Sequence, residues 1–147
     1  MNVLSFRSLD LNLLTDALGT AAELAERHPG LTIVVDHLGN PGSGDLDGWE
    51  RQLRLAAALP SVLLKISGLL TQQPGSPRTQ VAALAERAVA AFGPERCLVG
   101  SDWPICLPRG TRAESLDLAL RGLGELNGAE QAQVLHDNAV RAYRLGP

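Results

Sequence analysis

The sequence predicts an α/β fold, with parallel strands inside and helices outside. Three observations predict it. Short apolar runs alternate with longer amphipathic stretches, and the pair recurs four times along 147 residues. The runs "LTIVV" and "CLV" are apolar at successive positions, the pattern of strands buried on both faces. Each run is followed by a stretch with helical periodicity, so consecutive strands must return over a helix and lie parallel.

The elements follow in order. "LDLNLL" (residues 9–14) is a short extended candidate. In "TDALGTAAELAERHPG", Leu18, Ala21, Ala22, Leu24 and Ala25 recur at helical spacing. Thr15 or Asp16 can cap that helix and Pro29-Gly30 ends it. "LTIVVDH" is the second strand, and "LGNPGSGD" is a loop whose glycines and proline supply turn geometry. "LDGWERQLRLAAALP" is a helix with Trp49, Leu53 and Ala56 or Ala57 on one side. "SVLLKISG" is the third strand, followed by the loop "LLTQQPGSP". "RTQVAALAERAVAAFG" is a helix closed by Gly93-Pro94, and "RCLVGSD" is the fourth strand. After the loop "WPICLPRG" come the helix "RAESLDLALRGLGEL" and a C-terminal helix or broken pair in "GAEQAQVLHDNAVRAYRL".

Composition narrows the function. The chain is 45% hydrophobic and 20% charged, ordinary for one globular domain. A net charge of -3 gives no basic footprint for nucleic acid. No apolar run approaches the length of a membrane span, and no signal peptide is visible, so a cytoplasmic location is the expectation. Cys97 and Cys106 lie about nine extended residues apart, roughly 30 Å, too far for a disulfide, and lack C-x-x-C spacing.

Ligands of parallel α/β folds bind beyond the carboxyl ends of the strands. Here those ends read Asp36-His37, Lys65-x-Ser67-Gly68 and Ser101-Asp102-Trp103. Alternation puts Ile33, Val35 and His37 on one face, and Leu98, Gly100 and Asp102 on one face, so His37 and Asp102 are expected to address one cavity. Asp102 suits a general base, a metal ligand or a loop brace. His37 suits a carbonyl electrophile, a metal ligand or a histidine satisfied by a loop carbonyl. Asp36 should face the other way and anchor a neighbour. Trp103 would wall a substrate ring or plug the mouth of the site. Lys65, the only lysine, needs a carboxylate partner if buried. Ser67 lacks a G-x-S-x-G context and reads as a hydrogen-bonding serine. Arg109 and Arg112 follow the last strand, where they would hold an anionic group or lie in solvent. His28 and His136 are assigned to helix ends and surface. Neither H-x-H nor H-E-x-x-H occurs, and three scattered histidines do not build a conventional zinc site.

Four ordered motifs then carry a resemblance: D-H-x-G-x-P in "VVDHLGNP", K-x-S-G in "LLKISGL", F-G-x-x-R in "FGPERC" and G-S-D-W-P in "LVGSDWPIC", with "NAVRAYRL" after them. Together they resemble the amidohydrolase superfamily, in its lactonase branch of sugar-lactone and pyrone-dicarboxylate lactonases. The resemblance implies the C-terminal half, strands five to eight, of a (β/α)8 TIM barrel. It makes residues 1–147 a single domain that starts after strand four. It implies hydrolysis of a sugar-acid or related lactone, with Asp102 as general base on water and His37 polarising the carbonyl. Trp103, Lys65 and Ser67 would contact substrate. The strand-one H-x-H of the family has no counterpart here, so no tightly held metal and no other cofactor is expected. The same departure supports a second reading, a catalytically incomplete half barrel serving as a subunit or binding module. A third reading is a metal-dependent amidohydrolase or a decarboxylase of the same superfamily. The expected partner is a small lactone, with no nucleic acid or membrane; the two unpaired edges of a half barrel predict either a homodimer that completes the barrel or poor solubility.

Overall fold

Strand-forming runs rich in Val, Ile and Leu leave no polar face, so both sides of the sheet must be covered. The computed structural model, which describes residues 8–42 and 44–146, shows how. Strands β1 (Ser8–Leu11), β2 (Thr32–Val35), β3 (Val62–Ile66) and β4 (Cys97–Val99) form one sheet in the order β1-β2-β3-β4. Every pair is parallel, with Leu9 opposite Ile33, Ile33 opposite Val62 and Leu64 opposite Cys97. Helices α1 (Gly19–Arg27), α2 (Leu46–Ala57) and α3 (Arg78–Phe92) make the returns between strands, and α4 (Arg112–Arg121) follows β4. The expected α/β architecture of four strand–helix units is what the chain adopts.

The two faces differ. Ile33, Val35, Leu64 and Ile66 join the large core made with Leu18, Trp49 and Phe92 of the helical layer. Val34, Leu63 and Leu98 point to the opposite face, where Ala142 and Tyr143 cover them. The C-terminal region is a continuous helical run, α5 (Gly128–Ala132), a π turn (Gln133–Asp137) and α6 (Asn138–Tyr143). Asn138, fully buried, ties it to the sheet by donating to the carbonyls of Pro94 and Cys97, each at 2.7 Å. Capping is legible in the sequence at two helices: Thr111 with Glu114 and Asn127 with Glu130 form reciprocal capping boxes.

Two local expectations need correction. The first strand ends at Leu11 instead of running to Leu14. The Asn40 side chain donates to Asn12 Oδ1 at 2.6 Å and to the Leu13 carbonyl at 2.7 Å, which takes those residues out of the ladder. The first helix does not begin at Thr15. A 3-10 turn (Thr15–Ala17) precedes it, and the Thr15 hydroxyl bonds the Asn40 carbonyl at 3.0 Å rather than capping its own helix. Both departures use Asn40, the residue that follows the turn after β2.

Candidate active site

The site is built where β2, β3 and β4 end. After Val35 the chain enters a run of left-handed backbone: His37 at φ 54°, Leu38 at 57°, Gly39 at 68° and Asn40 at 49°. Such conformations cost of order 1–3 kcal/mol each for residues with a side chain. They persist here because the turn is pinned from outside. The buried Trp49 indole donates to the Leu38 carbonyl at 2.7 Å, and Leu38 itself is 1% exposed. Gly39 lies so close to Leu18 that an added Cβ would meet its side chain at 2.7 Å.

This turn corrects the alternation expected from the sequence. Ile33 and Val35 face the helices while Leu98 faces the opposite side. Strict alternation would therefore send His37 and Asp102 to different faces. The positive φ at His37 breaks the period and swings the ring over the strand ends. Asp102 is likewise left-handed, at φ 57°. Asp and His tolerate this region better than most residues. The two side chains consequently meet, with His37 Nε2 3.8 Å from Asp102 Oδ1 and both largely shielded from solvent.

Each group of the pair has a second contact. His37 Nδ1 is 2.8 Å from the hydroxyl of Ser67, which is 2% exposed. Thr71 Oγ1 lies 2.7 Å from Asp102 Oδ2. Gly68, at φ 67°, sits under the ring, and a Cβ there would meet His37 at 2.9 Å. Gly100 similarly makes room for Ser67, whose Cβ would be 3.2 Å from an added methyl. A carboxylate facing Nε2 favours the proton on that nitrogen, which leaves Nδ1 to accept from the Ser67 hydroxyl. The ring then offers an N–H donor toward the space beside Asp102.

Lys65 is elsewhere. Its Nζ lies 2.6 Å from Asp10 Oδ2 and 2.6 Å from Asp36 Oδ1, on the face away from the helices. The Tyr143 hydroxyl donates to Asp10 Oδ2 at 2.8 Å, and its ring lies 5.7 Å from the ammonium. Burial disfavours the charged lysine, but its hydrogen bonds to Asp10, Asp36 and Tyr143 outweigh that and raise its pKa. Lys65 is thus held by protein carboxylates, and Asp36 has the anchoring role expected for it. Ser67 likewise spends its hydroxyl on His37. Trp103, 60% exposed, stands beside Asp102 at the outer edge. Arg109 lines a separate cavity of about 320 Å³ with Arg78 and Gln73, to which neither His37 nor Asp102 contributes. Arg112 opens α4 and is exposed, as are His28 and His136.

Sequence reasoning missed Asp10, Thr71 and Tyr143. Asp10 was accessible in principle, since it lies opposite Val34 in register and so shares its face. Thr71 and Tyr143 carry no local signal. Among the described residues no group of three or more His, Cys, Asp or Glu is arranged to hold a metal ion. His37 and Asp102 supply two such groups, so these residues do not by themselves fit a metal centre.

The sequence profile of the amidohydrolases matches residues 6–145, nearly the whole chain. The chain belongs to the amidohydrolase family. An L-fucono-1,5-lactonase from Burkholderia multivorans is 34% identical over 133 residues, covering 81% of this chain and 45% of the lactonase. An amidohydrolase crystal structure from Burkholderia multivorans, solved with bound zinc, superposes with a TM-score of 0.88 at 32% identity, over 95% of this chain and 53% of that one. An amidohydrolase from Bifidobacterium longum subsp. infantis superposes with a TM-score of 0.72 at 28% identity, over 93% of this chain and 49% of that one. This amidohydrolase chain therefore spans about half the length of the relatives it matches, and its four parallel strands correspond to about half of their barrels.

Proposed function

We propose that the chain carries the general base and carbonyl donor of a lactonase acting on a sugar-acid lactone, as part of carbohydrate breakdown in the cytoplasm. The observation that carries this reading is the pairing of His37 Nε2 and Asp102 Oδ1 at 3.8 Å beyond the strand ends. A separation of that size is too long for a direct hydrogen bond, yet it lets a water oxygen lie about 2.8 Å from Oδ1 while a carbonyl oxygen lies about 2.8 Å from Nε2. In the proposed reaction, Asp102 takes a proton from water as the water oxygen bonds to the lactone carbonyl carbon. His37 Nε2–H donates to the carbonyl oxygen, where negative charge develops. Collapse breaks the ring C–O bond, and the leaving ring oxygen takes the proton from Asp102. The product is the open hydroxy acid, and Asp102 returns to its carboxylate. Trp103, exposed beside Asp102, would wall the ring. The likeness to an L-fucono-1,5-lactonase supports that lactone as the first substrate to try.

Hydrolysis of L-fucono-1,5-lactone by the purified chain is compared with that of Asp102→Asn. A loss of about 10²- to 10⁴-fold in kcat is expected for loss of a general base. Equal rates in the two proteins would remove Asp102 from that role. The second reading, a half barrel without activity of its own, draws on the chain's covering only 45% of the lactonase it resembles. Absence of hydrolysis by a folded chain would favour it.

A further inference from the structure

We propose that Thr71 is a positioning residue for Asp102: it ties down one carboxylate oxygen and so leaves the other, beside His37, as the base. The inference rests on the lactonase reading and adds a residue to it. Thr71 lies in the turn after β3, and its hydroxyl has two acceptors in reach: the Gly68 carbonyl at 3.1 Å and Asp102 Oδ2 at 2.7 Å. It has one proton to give. The Gly68 carbonyl already accepts the backbone N–H groups of Thr71 at 3.1 Å and of Gln72 at 2.8 Å, which occupies its two lone pairs. The carboxylate is charged, nearer and otherwise unbonded through Oδ2 among the described residues. The proton therefore goes to Asp102.

Two consequences follow from that bond. Oδ2 is committed, so proton abstraction falls to Oδ1, the oxygen that faces His37 Nε2. The carboxylate plane is also fixed, in a side chain only 8% exposed. Ser67 does the corresponding work on the ring, holding Nδ1 and leaving Nε2 outward. Both hydroxyls belong to the same five-residue segment, 67–71, and the left-handed Gly68 inside it lets the ring lie against the backbone. One turn thus sets the spacing of the reacting pair, through two hydroxyls that bond the ring nitrogen and the carboxylate oxygen not facing each other.

Thr71→Val removes the hydroxyl at nearly constant shape, and Thr71→Ser retains it. Loss of a hydrogen bond to a charged group predicts that Thr71→Val lowers kcat by about tenfold or more. KM should change by less than about twofold, because a hydroxyl that acts only through Asp102 contributes no binding of its own. Thr71→Ser should keep most of the rate. In an Asp102→Asn background, Thr71→Val should cost nothing further, since its effect passes through the missing carboxylate. Rates are referred to folded protein by a parallel unfolding curve for each variant, so that a change in stability alone leaves kcat where it was. If Asp102→Asn abolishes hydrolysis while Thr71→Val matches the unaltered chain, this inference is overturned and the lactonase reading stands. The inference is overturned in the same way if Thr71→Ser is as slow as Thr71→Val, for then the methyl and not the hydroxyl matters. If Asp102→Asn is as fast as the unaltered chain, or no variant hydrolyses the lactone, the lactonase reading fails and the role of Thr71 goes with it.

Discussion

Lys65 is held between Asp10 and Asp36, and the groups whose protons are most strongly perturbed all shift in one direction. Burial pushes the Cys97 thiol from 9.0 up to about 12, and burial with the Asp10 hydrogen bond pushes the Tyr143 hydroxyl from 10.0 up to about 12. Lys65 is raised as well, its burial overcome by hydrogen bonds to the two carboxylates. Each group holds its proton more tightly in the folded chain than in the unfolded one. Above its ordinary pKa the unfolded chain has therefore lost a proton that the folded chain keeps, and stability falls as pH rises. The fall begins near pH 9 with Cys97 and is joined near pH 10 by Tyr143 and Lys65. For the buried thiol the slope approaches about 1.4 kcal/mol per pH unit, while the two partly wetted groups add less. Urea midpoints measured from pH 7 to 11 should drop above pH 9, and Cys97→Val should flatten the first part of that drop. A midpoint that holds steady to pH 11 would contradict these shifts. The residue scale is also where reading the sequence succeeds and fails most sharply. A lone lysine on an apolar strand must find a carboxylate, and Lys65 finds two. The direction of His37 was not readable, because the period of two stops applying once φ turns positive, and no local rule announces that change.

At the scale of elements, β2 and β4 were legible because burial on both faces dictates unbroken apolar runs, and the helices between the strands were legible from their periodicity. Their ends were not. The first strand stops at Leu11 because Asn40, 28 residues after Asn12, takes over its neighbours, and such long-range hydrogen bonds leave no mark in local pattern. The C-terminal helices show the same limit. Periodicity marks residues 128–143 as helical, but it does not mark Asn138 as the side chain that hydrogen-bonds them to the backbone around the start of β4. Asn138 donates to the carbonyls of Pro94, in the turn before β4, and Cys97, the first residue of β4, and accepts from Arg141 at 2.9 Å. Asn138→Ala leaves both carbonyls and the guanidinium without that partner inside the protein. A loss of about 2–3 kcal/mol is expected, from buried polar groups left unsatisfied. Urea unfolding measures it, and the loosening should expose Leu98 and Leu63, which α6 helps cover, as faster amide exchange in β3 and β4. A cost below about 0.5 kcal/mol, within the range of an ordinary surface change, would show that the helix docks by its apolar contacts alone.

For the molecule as a whole, the open question is what lies beside the outer strands. Among the described residues β1 pairs only with β2, and β4 only with β3. An unpaired strand edge recruits other strands unless charge, proline or a covering element blocks it. Exposed apolar side chains flank both edges. Leu9 and Leu14 lie at the β1 side, and Trp103, Ile105 and Leu107 follow β4. All four strands run the same way, so β4 of one chain and β1 of another offer compatible parallel edges. Pairing them twice around a twofold axis uses both edges of both copies and closes eight strands, a number whose interior side chains can fill. In a solution of this chain alone, a second copy offers a complementary occupant for those edges. We therefore propose that the purified chain is a dimer, which also brings the His37–Asp102 pairs of both copies to one rim. Sedimentation equilibrium should give twice the 15.6 kDa chain mass. Leu9→Lys, which places a charge on the β1 edge at a residue 39% exposed, should shift the chain to monomer with its far-UV spectrum retained. A stable monomer at tens of micromolar, estimated as the range where exposed edges associate, would sink the closed pairing. So would an open-ended polymer, since it would show that the edges meet without closing.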